Sequence, residues 1–442
     1  MKIKILLLFS LFFLLFWRTN ADLSYDFTYQ EKIQAYILKY SDDSLKLTRV
    51  KNLLTHKYAG KNISLELKII VNYFIDALWK EIDNQKNLSS HSETPDDVRA
   101  IYYSAYAASR SNKIEELLQL AQSTEINAIV IDIKETDGYT SFAFSNEFFW
   151  NILPKSNNRI PNISDLIEKL HQNNIYVIGR IVVFKDNYVS QNHPKFSIKW
   201  SNNHQSTWTD YKWNSYLDPY AKEVWEYNIL LASESYKLWF DEINFDYVRF
   251  PTDWYISQTY YPFAHEIIDS NESWSKMKVL EAFSKYTTEK LREIHPNIIL
   301  SADIFWLATH TDMYQIGQNI ETFIPYFDYV APMIYPSHYA SGYLGYKVPD
   351  NAPYEIFYDS IKQAQKRIDT LNTNSSGSLN ISYTKIRPWL QGFNCTWCPW
   401  ATTYNREKFR KQILALNELW INSWYVWNAS ARYENAWYNT DD

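Results

Sequence analysis

Two aspartates at the ends of apolar runs carry the strongest chemical signal in this chain. Asp246 lies in the run Phe240 to Phe250, followed by Arg249 and by Pro251, which cannot continue a ladder of backbone hydrogen bonds. Asp303 sits in Leu300-Ser301-Ala302-Asp303-Ile304-Phe305. A charge at a strand end is costly to bury without a partner or a purpose. Two carboxyl groups facing one another could cleave an acetal, one protonating the departing oxygen and the other attacking the carbon or activating water. Their separation decides between retention and inversion, and both outcomes stay open at this level. Arg249, close in sequence to Asp246, would keep that carboxyl ionised, as a nucleophile requires, whereas an acid needs a raised pKa. A plain ion pair closing the strand is the bland alternative.

Other side chains cluster at the same ends of neighbouring apolar runs. They are Asp132, Lys134, Arg180, Tyr335, His338, Trp389, Gln391, Trp427 and Asn428. Aromatic faces suit the apolar faces of sugar rings, and Arg, His, Gln and Asn suit hydroxyl groups. Asp132, inside Ile129-Val130-Ile131-Asp132-Ile133, could instead satisfy a buried network with Lys134 or Arg180. Trp424 and Trp427 are three apart, so one strand cannot turn both to the same face, and core packing competes with binding. His310 and His338 lie on different loops without metal-ligand spacing, so neither a metal nor a cofactor is expected.

Elements that could hold these residues alternate along the chain. Apolar strand patterns span residues 100–107, 128–134, 176–184, 242–250, 298–305, 329–335, 386–393 and 422–428. Helical patterns intervene at 113–122, 163–171, 221–238, 276–294, 354–368 and 406–419. Eight strands in alternation with helices fit an α/β fold, a (β/α)8 TIM barrel over residues 98–442. A doubly wound open sheet is the runner-up, but no Gly-x-Gly-x-x-Gly loop follows the first strand.

Ahead of the barrel, Lys2 and Lys4, the apolar run Ile5 to Trp17 and Ala21 read as a signal peptide over residues 1–21. Residues 22–87 read as a small helical extension and 88–97 as a polar linker containing Pro95. The expected location is therefore secreted or cell envelope, with membrane contact only in transit. Cys395 and Cys398 are the only cysteines and could pair in an oxidising compartment. A net charge of −6 with no basic block argues against nucleic acid as a partner.

The segments 127–138, 176–186, 218–228, 240–251, 328–339 and 424–433 resemble a bacterial glycoside hydrolase family with an amylase-like TIM barrel. The resemblance runs from Arg99 to Tyr433 and is most specific in Phe240 to Pro251. It implies action on a carbohydrate. The amylase-like superfamily carries its nucleophile on strand four and its acid on strand five, which correspond here to Asp246 and Asp303; the acid there is usually a glutamate. The expected function is hydrolysis of a polysaccharide or cell-wall glycan. The alternatives are a non-catalytic carbohydrate-binding barrel and, more weakly, a metal-assisted deacetylase.

Composition adds one anomaly. Glycine is 8 of 442 residues, where about 7% is usual, while tryptophan reaches 18. Trp239 and Trp420 fall between a helix end and the next strand, where a left-handed cap favours glycine. The family pattern has glycine there and at Trp306, and Trp213, Trp254, Trp397 and Trp400 share the suspicion. The expectation is that UGA codons specify glycine in this gene.

Overall fold

The computed structural model describes residues 91–144, 156–252, 255–264, 276–376, 378–398 and 402–439. The expected signal peptide, helical extension and first part of the linker lie outside these residues, as do Trp254 and Trp400. Compactness divides the chain into residues 1–90 with 145–152, and the remainder.

That remainder is a closed barrel of eight parallel strands. They are β1 (Arg99–Tyr103), β2 (Ala128–Lys134), β3 (Tyr176–Val182), β4 (Glu242–Asp246), β5 (Ile299–Phe305), β6 (Tyr329–Met333), β7 (Trp389–Gln391) and β8 (Trp424–Trp427), with β8 pairing back onto β1. The main helices are α1 (Ser111–Ser123), α2 (Ile163–His171), α3 (Lys222–Tyr236), α4 (Lys276–Ile294), α5 (Pro353–Asn374) and α6 (Arg406–Asn417). No described helix is long and apolar enough to cross a membrane. Cys395 and Cys398 are joined as a disulfide in the loop after β7.

Several boundaries differ from the sequence pattern for local reasons. The first strand stops at Tyr103 because Ser104 caps a helical turn, Ala105–Ala108, its hydroxyl accepting the Ala107 N–H. β4 ends at Asp246, since Tyr247 turns left-handed at φ 53°. Arg249 therefore stands beyond the strand. A small antiparallel sheet, Lys199–Trp200 with Asn203–Thr207 and Thr259–Tyr260, has no apolar alternation to announce it. The expected linker is docked from residue 91 onward: the Ser92 N–H donates to Asp241 at 2.6 Å and Thr94 reaches the Tyr176 hydroxyl at 3.2 Å.

Alternation along the strands decides what fills the barrel. Ile129, Ile131, Val177, Ile243, Phe245, Leu300 and Ala302 are fully buried between sheet and helices. Such burial contributes about 1.5–3 kcal/mol for each large aliphatic or aromatic side chain. The opposite parity faces inward. Tyr176, Ile178, Val130, Ala100, Tyr102, Trp389 and Tyr425 pack together there. The same parity carries polar groups: Asp132 pairs in register with Arg180, Arg180 with Asn244, and Asn244 with Ser301.

Near the floor of the barrel, Glu242 accepts from Arg387 at 2.8 Å, from the Tyr425 hydroxyl at 2.7 Å and from Ser301 at 2.6 Å. The Arg387 guanidinium lies 3.4 Å from the Tyr329 ring centroid. Both charges are wholly buried. Removing one partner leaves the other uncompensated, so Arg387→Met is expected to lose about 3–5 kcal/mol in urea unfolding, and the double variant Glu242→Leu/Arg387→Met to recover part of it. A double variant as unstable as the sum of the single ones would contradict this pairing.

Candidate active site

Arg180 is the hub at the C-terminal mouth of the barrel. It reaches across from β3 and donates Nη1 to Asp132 Oδ1 at 2.6 Å, and Nε and Nη2 to Asp246 Oδ2 at 3.1 and 2.5 Å. Asp246 also accepts the Tyr247 N–H through Oδ1 at 2.5 Å. The left-handed turn at Tyr247 therefore does chemical work, aiming a backbone donor at the carboxylate that ends β4. Three donors on one carboxylate suit its charged form. Asp132 accepts a further bond from the Tyr102 hydroxyl at 2.5 Å. Burial pushes the Asp132 carboxyl up, opposed chiefly by the Arg180 charge.

Asp303 has a different environment. It is 1% exposed, and its Oδ1 accepts from Asn244 Nδ2 at 2.9 Å and Trp389 Nε1 at 2.8 Å. Burial drives its pKa well above the carboxylate range, and the nearby Asp246 charge pushes the same way. Arg180 and the two hydrogen bonds oppose this without cancelling it. Tyr335 lies within the field of both carboxyl groups, its hydroxyl pushed up by burial and then by Asp303 and Asp246. One site thus holds a carboxyl group bonded to a guanidinium and a backbone N–H beside a second one whose pKa is raised, an inequality that suits an acid next to a base or nucleophile.

Not every expected residue belongs to this cluster. Arg249, expected to sustain the Asp246 charge, instead has its guanidinium 4.6 Å from the Tyr247 ring centroid and donates to the Phe250 carbonyl; Arg180 takes that role. Lys134 points away from the mouth, because β2 shifts register between Asp132 and Lys134; it is fully buried in an ion pair with Asp186 at 2.8 Å. Gln391 supports loops, donating to Asp350 and Phe393 and accepting the Ser337 N–H. Asn428 staples the carbonyls of Gly392 and Arg432. Trp389 is buried and positions Asp303. Trp427 stacks on Tyr102 at 4.0 Å, with the Arg180 guanidinium 5.3 Å from its ring centroid. His338 packs edge-on against Tyr335 at 5.3 Å.

Tyr102 and Asn244 were missed because tyrosine and asparagine in a strand carry no charge signal. Their inward parity was the available clue: Tyr102 is two residues from Ala100, and Asn244 is midway between Glu242 and Asp246. Among the described residues, one group has metal-ligand spacing, His338 with Cys395 and Cys398, all ligand atoms within 4.8 Å. Both sulfurs are tied in the disulfide, so they offer no thiolate to a metal.

Comparison with known proteins bears on the family and the fold. A family model described as "Putative glycosyl hydrolase domain" matches residues 100–433. Among solved structures, the glycoside hydrolase domain of PgaB (BpsB) from Bordetella bronchiseptica superposes with a TM-score of 0.53 at 12% identity, over 79% of this chain and 100% of that one. Alpha-L-fucosidase isoenzyme 2 from Paenibacillus thiaminolyticus gives 0.50 at 13% identity, over 77% of this chain and 48% of that one. A hypothetical protein from Ruminiclostridium thermocellum ATCC 27405 is 32% identical over 46% of this chain and 96% of its own, with a TM-score of 0.40. No curated protein matches the chain. At 12 and 13% identity the likeness concerns the barrel fold.

The raised Asp303 pKa has a consequence for stability. Its folded value lies above the unfolded value of about 3.9, so the stability it contributes is complete below that pH and is lost as pH rises through the folded value. As pH rises above the unfolded value the wild type should therefore lose stability relative to Asp303→Asn, until the folded value is passed. Chemical denaturation of both proteins across this range checks the slope, and a pH-independent difference would contradict it.

Proposed function

We propose that this chain, which belongs to the glycosyl hydrolase domain family matched over residues 100–433, cleaves a polysaccharide or cell-wall glycan with Asp246 as nucleophile and Asp303 as general acid and base. The observation that carries the assignment is the unequal treatment of the two carboxyl groups. Asp246 faces Arg180 and a backbone N–H, whereas Asp303 is buried, forms no ion pair among the described residues and has a raised pKa.

The register supports a double displacement with retention. Glu242 and Asn244 pair with Ile299 and Ser301, so continuing the ladder by two residues sets Asp246 beside Asp303. Adjacent strands are about 4.8 Å apart, near the roughly 5–5.5 Å between carboxyl groups in retaining enzymes. In the first half-reaction Asp246 bonds to the anomeric carbon while Asp303 Oδ2, which carries neither of the Asn244 and Trp389 bonds, gives its proton to the departing oxygen. In the second, Asp303 takes a proton from water, the water oxygen bonds to the anomeric carbon, and the bond from that carbon to Asp246 breaks, returning the Asp246 carboxylate.

Charge in the mouth favours that chemistry. Arg180 is shared by Asp132 and Asp246, so one cation serves two acidic groups that face the positive charge building on the sugar ring. Once Asp246 is bonded to sugar, Arg180 keeps Asp132 as its partner and is never left unpaired. Tyr335, His338 and Trp427 are the side chains proposed to line the sugar. Action outside the cytoplasm follows from the signal-like N-terminus and is part of the proposal. A non-catalytic sugar-binding barrel would have no use for a carboxyl group of raised pKa beside one bonded to Arg180.

Hydrolysis of a glycan panel should fall about 10²–10⁴-fold in Asp303→Asn, and at least as far in Asp246→Asn. Turnover by both variants at the wild-type rate would remove these residues from the reaction. The pH profile supplies a second check. Activity should fall as pH rises through the Asp303 pKa, and Trp389→Phe, which deletes a bond favouring its charged form, should move that limb to higher pH. A shift to lower pH would contradict the assigned acid.

A further inference from the structure

Beyond Trp427, the ends of β7 and β8 and the loops after them enclose a cleft of about 410 Å³. Its wall includes Phe393, Asn394, Tyr404, Trp427, Arg432 and Glu434. Trp427 links the cleft to the carboxylates, since the same ring stacks on Tyr102 and lies by Arg180. Tyr404 is the unusual member. It is 4% exposed, and its hydroxyl is buried with no hydrogen-bond partner among the described residues. An orphaned buried hydroxyl costs free energy that folding alone does not recover. Beside it, Asn394 accepts the Tyr404 N–H through its side-chain oxygen at 2.7 Å, which leaves the amide nitrogen as a further donor at the cleft wall. Arg432 and Glu434 stand exposed at the rim with opposite charges.

The geometry points to a second sugar-binding subsite in this cleft, taking an uncharged hexose unit adjacent in the glycan chain to the one held at Asp246 and Asp303. Volume, an aromatic face and a scatter of donors and acceptors fit one pyranose ring. The offset of Arg432 by Glu434 gives no preference for an acidic or a cationic sugar. The consequence is a preference for chains over single sugars. This inference rests on the glycoside hydrolase reading.

Calorimetry on the whole protein carrying Asp303→Asn reads binding without turnover. The probes are cello-, chito- and malto-oligosaccharides of one to six units. Affinity is expected to rise beyond one unit, and adding Tyr404→Phe to weaken binding of the longer chains about fivefold while leaving single sugars unchanged. Its thermal midpoint should not fall, because the orphaned hydroxyl is gone. Arg432→Ala, at the rim, provides a second variant with the same expected pattern. Equal affinities for parent and variants at every length would overturn the subsite. Failure of the unmodified enzyme to bind or cleave any glycan of the panel would instead overturn the hydrolase reading.

A different observation, confined to the backbone, carries a second inference. Trp420 closes α6 with the Ile421 N–H on the Leu416 carbonyl at 3.0 Å and its own N–H on the Asn417 carbonyl at 3.1 Å, at φ 60°. That is the left-handed position of a Schellman motif, normally glycine. The end of α2 has the same two bonds around Asn174 at φ 58°, where asparagine tolerates the conformation. Trp239, after α3, has φ 81°. Trp213 has φ 63°, its N–H bonding the Asp210 carbonyl while the Asp210 N–H bonds the Asn214 carbonyl, the glycine position of a bulged hairpin turn. Trp213 and Trp420 leave 80% and 86% of their surface in solvent.

Glycine is scarce in this chain, yet tryptophan stands where glycine is required. We infer that residues 213, 239 and 420 are glycine in the protein as it is made, encoded by UGA. Tryptophans with packing or hydrogen-bonding work, Trp389, Trp424 and Trp427, remain tryptophan. Tandem mass spectrometry of the protein from cells that carry the gene decides the matter. Peptides with glycine at 213, 239 and 420 are expected, and tryptophan at those positions would overturn the inference.

Discussion

One guanidinium holds the mouth of this barrel together. Asp132, Asp246 and Asp303 all point inward at the C-terminal ends of β2, β4 and β5, within a layer that excludes water. Three carboxylates there would repel one another and forfeit their hydration, a combination no small domain can sustain. Arg180 is shared between two of them, and the third, Asp303, has its pKa raised by burial and by the Asp246 charge. The proposed division of labour between nucleophile and acid would follow from having one positive charge for three acidic groups.

The support for that arrangement extends down the barrel. Asn244 donates to both Asp303 and Ser301, Ser301 donates to Glu242, and Glu242 pairs with Arg387 at the floor. Inward-facing residues two apart on β4 therefore connect the structural ion pair to the candidate acid. A barrel is suited to this, because parallel register stacks side chains of like parity into layers. The site is positioned by strands and not by loops, which limits how far Asp246 and Asp303 can drift.

Much of this was legible in the amino-acid sequence. Eight apolar runs alternating with helical patterns give the barrel, and β2, β3 and β5 were placed nearly residue for residue because their outward faces are continuous aliphatic stretches. The carboxylate pair was visible because charges inside apolar runs are rare. What escaped were features that depend on partners distant in sequence. Arg249 is the nearest cation to Asp246 along the chain, yet Arg180, 66 residues away, binds it. Lys134 read as a mouth residue until a register shift turned it toward Asp186. The left-handed turn at Tyr247 has no glycine or asparagine to betray it, and Tyr102 carries no charge. Where turn chemistry was readable, as at positions 239 and 420, the residue type conflicted with the backbone, and that conflict was itself informative.

The central claim is that Asp303 is held protonated beside a carboxylate bound to Arg180. A carbon-13 NMR titration of aspartate carboxyl groups, assigned with Asp303→Asn and Asp246→Asn, observes this without any substrate. The Asp303 carboxyl signal should keep the shift of a protonated acid beyond the pH range in which an ordinary aspartate titrates. A midpoint for Asp303 near the ordinary value of about 3.9 would contradict the assignment of acid and nucleophile.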